Sequence, residues 1–65
     1  MNWDQIEGNW KQYKGKAQAQ WGDITEDEWH QVEGRREEVT GLIQEKYGYS
    51  RERAEDEVEM WANGL

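Results

Sequence analysis

The chain contains no cysteine, no proline and no phenylalanine. Without cysteine there is neither a disulfide framework nor a thiolate metal site, and the missing thiols are compatible with a reducing cytoplasm. With no proline, no run of alternating β-branched residues and no hairpin turn signal, strands are not expected. No apolar run approaches the ~18 residues that crossing a bilayer demands, and no basic start followed by an apolar stretch marks a signal peptide. The chain therefore reads as soluble and cytoplasmic. None of its seven glycines falls in a GxGxxG or P-loop pattern, so no phosphate-cradling loop is indicated.

What the chain does have is concentrated in a few residue types. Five Trp and three Tyr stand among 65 residues. A domain this short buries only ~60% of the surface that its unfolded form exposes, so its core must come from a few large side chains. Charge is unevenly spread: the first 21 residues carry two acids and three bases, the remaining 44 thirteen acids and five bases, for a net −7. Such a surface repels polyanions and disfavours nucleic acid as a partner. The acidic half reads as a solvated face.

A 26-residue repeat organises the chain. Trp3-Asp4-Gln5-Ile6-Glu7-Gly8 returns as Trp29-His30-Gln31-Val32-Glu33-Gly34, and Gly15, Gln18 and Gly22 fall on Gly41, Gln44 and Gly48. Seven of the twenty positions from Trp3 to Gly22 are identical to their counterparts. One such unit cannot bury its apolar face alone, so the two copies, 3–22 and 29–48, are expected to pack on each other. Gly8 with Gly34, and Gly15 with Gly41, are expected at points of close approach or turning.

Spacing and punctuation predict helices. Trp3, Ile6, Trp10, Tyr13, Ala17 and Trp21 recur at intervals of three and four, along one side of a helix from about 3 to 21. Asn2 is its N-cap, with Gln5 able to complete a capping box, and Gly22 supplies a left-handed end. Gly8 and Gly15 each cost ~1 kcal/mol inside a helix and make a break plausible. Thr25, with Glu28 at the third helical position and Ile24 and Trp29 as a hydrophobic staple, opens the next helix. It carries Trp29 and Val32 and stops or bends at Gly34. Val39, Leu42, Ile43 and Tyr47 form the most apolar stripe, closed by Gly48. Ser50 caps a last helix bearing Ala54, Val58 and Trp61, with Met60 beside them. The expected product is one all-α domain over 1–65: the repeat plus a C-terminal helix, as a small bundle of four helices, or five if Gly8 splits the first.

The residue inventory argues against catalysis. A search for nucleophile, base and orienting partner finds one His and no Cys, with Ser50 and the two threonines mostly at cap or turn positions. His30 has Glu26 and Glu33 in helical register and reads as an exposed histidine paired with carboxylates. A zinc site needs four ligands dominated by His and Cys. Glu55-Asp56-Glu57 with Glu59 lacks the glycine-centred loop of a calcium site. No cofactor and no small-molecule substrate is indicated. A helix-turn-helix reading of 25–47, in which Arg35 and Arg36 open the second helix, meets Glu37, Glu38 and Glu45 on that same helix, which would face phosphates unfavourably. The candidate interaction surface is Lys11, Lys14, Lys16, Arg35 and Arg36. With Trp3, Trp10 and Trp21 on the stripe and the lysines off it, the first helix also suits an anionic membrane surface. The stronger reading makes these tryptophans core, because no other part of the chain supplies enough apolar area.

The opening Met1-Asn2-Trp3-Asp4-Gln5-Ile6-Glu7-Gly8-Asn9-Trp10-Lys11-Gln12, then Lys14-Gly15-Lys16, Trp21-Gly22, and Tyr47-Gly48 before Ser50, resemble the CsbD-like family of small bacterial proteins over nearly the whole chain. The resemblance implies a cytoplasmic protein induced in general stress, with a fold similar to two crossed helical hairpins and grouped with SAM-domain-like folds. It implies no enzymatic activity, cofactor or catalytic residue. Ala17-Gln18-Ala19-Gln20 and Trp29-His30 depart from the family's usual residues. The expected function is that of a noncatalytic stress-response accessory protein acting through an unidentified protein partner. The alternatives are a highly solvated protectant, favoured by a mean hydropathy of −1.38, and a peripheral membrane-surface binder.

Overall fold

The computed structural model describes residues 2–65 and contains five α-helices in the order α1 (Trp3–Gly8), α2 (Trp10–Gln20), α3 (Glu26–His30), α4 (Arg36–Tyr47) and α5 (Arg51–Asn63). No strand occurs among the described residues. The α4–α5 pair, joined through Gly48, Tyr49 and Ser50, is the most extensive helix–helix contact, and α2 packs on both α1 and α3.

The first segment is two helices, not one. The break falls at Asn9, one residue beyond the suspect Gly8: the Asn9 backbone N–H and its side-chain amide both donate to the Gln5 carbonyl, each at 3.1 Å. A side chain that competes for backbone partners is a natural place for a helix to stop. The Asn9 carbonyl then accepts from Gln12 and Tyr13 to start α2. Gly15 stays within α2. At the front of α1, the Asn2 carboxamide accepts from the Asp4 N–H, one residue short of the partner that a capping box with Gln5 would use.

Local signals govern the other termini. Thr25 and Glu28 form a reciprocal capping box on α3, and Ile24 and Trp29 beneath it are both buried. Ser50 Oγ accepts from the Arg53 N–H to cap α5. Gly48 ends α4 at φ +70°, a left-handed residue. Gly22 does not play that part, because positive φ occurs only at Gly34 and Gly48 among the described residues. Instead α2 stops where Trp21 is drawn into the core, and the chain turns back as the Ile24 N–H reaches the Trp21 carbonyl. The third segment ends at His30, which leaves Val32 half-buried in the connection to α4.

The core comprises Ile6, Trp10, Ala17, Trp21, Ile24, Trp29, Val39, Ile43, Ala54, Val58, Trp61 and Ala62, with Trp3, Tyr13, Val32, Leu42 and Tyr47 partly buried against it. Trp29 lies at its centre, fully buried, with Trp10 and Trp21 at ring-centroid distances of 5.9 and 6.1 Å. Within the repeat, α2 and the main part of α4 occupy equivalent positions 26 residues apart, but the first halves differ. Gly8 ends a helix, whereas its counterpart Gly34 is a buried left-handed residue in a loop. The packing role expected of four glycines holds at Gly34 alone: Gly8, Gly15 and Gly41 have open space where a side chain would stand.

Candidate functional site: an interaction surface

The hydroxyls of Thr25, Thr40 and Ser50 are engaged at helix caps or with the backbone. Thr25 Oγ1 accepts from the Glu28 N–H and donates to the Glu28 carboxylate, Thr40 Oγ1 donates to the Arg36 carbonyl at 2.8 Å, and Ser50 caps α5. His30 is exposed on α3; its Nε2 lies 3.3 Å from Glu26 and its Nδ1 2.8 Å from Lys14 Nζ. A charged lysine has only protons to offer, so Nδ1 accepts, and Nε2–H then donates to Glu26. The imidazole is thereby a link between α2 and α3. No group of three or more His, Asp or Glu able to hold a metal ion occurs among the described residues.

Glu28 is the most perturbed acid. Its Oε1 accepts from Lys46 Nζ at 2.9 Å, from the Thr25 N–H at 3.1 Å and from the Thr25 hydroxyl at 3.0 Å. The Lys46 hydrogen bond foremost, then the two from Thr25, hold its pKa down at about 2 against an ordinary 4.5. Lys46 is raised in return, chiefly by the same hydrogen bond. One carboxylate thus caps α3 and ties it to α4.

The candidate cations are distributed rather than gathered. At ~100° per residue, Lys16 lies about 140° round α2 from Lys11, while Lys14 lies about 60° to the other side. Lys14 is taken up by His30, and Lys16 sits over the Tyr13 ring, 5.4 Å from its centroid. Arg35 and Arg36 line a shallow groove with Trp3, Asp4, Glu7 and Glu37, and Arg36 also approaches Glu59 at 4.0 Å. Carboxylates stand beside both arginines.

A second groove runs between the end of α2 and the end of α5, lined by Lys16, Ala19, Gln20, Glu57, Met60, Trp61, Gly64 and Leu65. Met60 is the single large hydrophobic residue exposed among the described residues, at 71%. The sequence pattern set Met60 beside the apolar stripe of α5; the structure turns it outward. Its position one residue before Trp61 was the available signal, since neighbours on a helix face ~100° apart. No helix is long and apolar enough to cross a membrane among the described residues.

These features define a small all-helical module with a tryptophan core and a mixed-charge exterior. The family model for CsbD-like proteins matches residues 4–56, and the chain belongs to that family. It is 56% identical over 61 residues to a UPF0337 protein of Pectobacterium atrosepticum, covering 94% of this chain and 88% of that one. It is 51% identical to the UPF0337 protein YjbJ of Escherichia coli with the same coverage. A UPF0337 protein of Rhodopseudomonas palustris is 45% identical over 65 residues, spanning 100% of this chain and 98% of the relative.

Proposed function

We propose that this protein is a noncatalytic, cytoplasmic stress-response accessory protein that acts by contact with another protein. The observation that carries the reading is Met60, 71% exposed in the groove between α2 and α5 beside Ala19 and Trp61. A flexible thioether on an otherwise polar surface suits an adaptable protein contact, and Lys16 and Glu57 in the same groove add charge of both signs to steer a partner. The engagement of the Ser and Thr hydroxyls in backbone hydrogen bonds supports a noncatalytic role.

The test is photocrosslinking in stressed cells with a photoreactive residue at position 60, and at Lys11 as a control position. Recovery of one protein in stoichiometric yield from position 60 but not from position 11 supports the reading. A smear of unrelated proteins from both positions overturns it in favour of a solvated protectant, the role that net charge −7 and mean hydropathy −1.38 favour.

A further inference from the structure

Met60, which the proposed function places at a partner contact, is a thioether standing in open solvent. Nothing else in the chain competes well for an oxygen-donating oxidant. There is no cysteine, whose thiolate would react first. Trp10, Trp21, Trp29 and Trp61 are buried and Trp3 is partly so. Indoles and phenols also yield to a hydroperoxide far more slowly than a thioether does, because they offer no sulfur lone pair.

Oxidation at this position changes the groove without touching the core. The Met60 side chain points outward from α5, and its carbonyl accepts from the Gly64 N–H at 3.1 Å in the last turn, a bond in which the side chain takes no part. A sulfoxide at position 60 is therefore solvated in the free protein. In the bound protein it is not. A partner that packs beside Ala19 and Trp61 on a flexible, apolar thioether meets a polar, pyramidal S=O group instead, whose oxygen must give up its water.

We propose that Met60 is a site of reversible oxidation by hydroperoxides, and that its sulfoxide releases the protein partner from the groove between α2 and α5. The release rests on the partner-binding reading above; the oxidation does not. The sulfur lone pair attacks one oxygen of the hydroperoxide, an S–O bond forms and the O–O bond breaks. The departing oxygen takes the proton of the attacked oxygen and leaves as water from hydrogen peroxide, or as an alcohol from an organic hydroperoxide. Sulfur loses two electrons and the peroxide gains them. Methionine sulfoxide reductase reverses the step with two thiol equivalents, which become one disulfide as the oxygen leaves in water. A bound partner covers the thioether, so oxidation acts on the free protein and keeps it free.

The test uses the full chain with a photoreactive residue at Ala19, an exposed position in the same groove. Purified protein is treated with graded hydrogen peroxide, the peroxide is removed, and each sample is irradiated with lysate of stressed cells. Tryptic peptides 54–65 and 1–11 report Met60 and Met1 separately. Sulfoxide is expected at Met60 at a rate within about tenfold of that of N-acetylmethionine amide, as an exposed thioether requires, with the near-UV spectrum and melting midpoint of the parent. The yield of the crosslinked protein should fall by about tenfold in step with Met60 sulfoxide, and return after treatment with reductases specific for both sulfoxide epimers. Oxidation more than about tenfold slower than the free amide, or only with loss of the fold, overturns the modification site. An undiminished crosslink at full Met60 sulfoxide, or a loss that follows Met1 instead, overturns the release and leaves the partner reading standing. A crosslink missing from the untreated protein overturns that reading and the release with it, while the rate of sulfoxide formation still decides the site.

Discussion

Gly34 lies so close against the Trp10 indole that a Cβ added to it would stand 2.5 Å from the ring's Cγ. The same residue has φ +88° and gives its carbonyl to the Trp3 N–H at 2.9 Å. Two tryptophans of the first repeat copy thus close on one glycine of the second, and the two copies are locked together there. Gly34→Ala should combine left-handed strain, about 1–2 kcal/mol, with overpacking against Trp10, about 1–3 kcal/mol. Gly48→Ala, at φ +70° with open space at its Cβ position among the described residues, should lose about 1–2 kcal/mol from strain alone. Urea denaturation of both variants measures the difference.

Gly15 and Gly41 present the opposite case. Both are inside helices, and among the described residues nothing beyond the chain neighbours and the helix's own backbone comes within 4 Å of an added Cβ. Gly15→Ala and Gly41→Ala should each stabilise the protein by up to about 1 kcal/mol through helix propensity. Being on separate helices, the gains should add in the double variant. A raised midpoint with an unchanged slope in urea is the expected observation.

The contrast between these glycines shows where sequence reasoning works and where it stops. Caps at Thr25, Ser50 and Gly48 were legible because each depends on a few adjacent residues. The Asn9 break was legible only as a question, since Gly8 drew attention and the Asn9–Gln5 hydrogen bonds were hidden in a carboxamide. The repeat made Gly8 and Gly34 equivalents, yet only Gly34 meets a tryptophan, because that contact depends on how the copies dock. Thr40, read with Thr25 as mostly a cap or turn residue, is instead fully buried inside α4, for a related reason: its hydroxyl is satisfied within its own helix, at the Arg36 carbonyl. For the candidate surface, the sequence supplied the cations but not their separation, which arises from the α2 helical angle and from Lys14 turning to His30.

Glu28 makes acid stability a readout of the α3–α4 tie. Its folded-state pKa of about 2 is below the ordinary 4.5, so its contribution is complete above about 4.5 and is lost as pH falls towards 2. Glu28→Gln should flatten the acid limb of the melting temperature in that window. Lys46→Gln should flatten it less, because both Thr25 donors stay. Lys46 has the opposite sign: its pKa is raised above 10.5, so its contribution is present below 10.5 and is lost as pH climbs beyond that. Melting curves from pH 2 to 12 test both limbs, and added salt should shrink both effects, as this pair is a third exposed.

Met60 and Trp61 are adjacent on α5 but differ in exposure, 71% against 9%. Met60→Ser removes no buried contact and should leave stability within about 0.5 kcal/mol, as for surface substitutions generally. Trp61→Ala removes a ring that contacts both Trp3 and Trp21, and should cost about 3–5 kcal/mol, much of what a domain of this size has. The pair separates folding from binding on one helix turn. If Met60 belongs to a partner contact, Met60→Ser should abolish crosslinking from a photoreactive residue at nearby Ala19 while melting as the parent does. Loss of stability in Met60→Ser beyond about 1 kcal/mol would assign the residue to the fold instead.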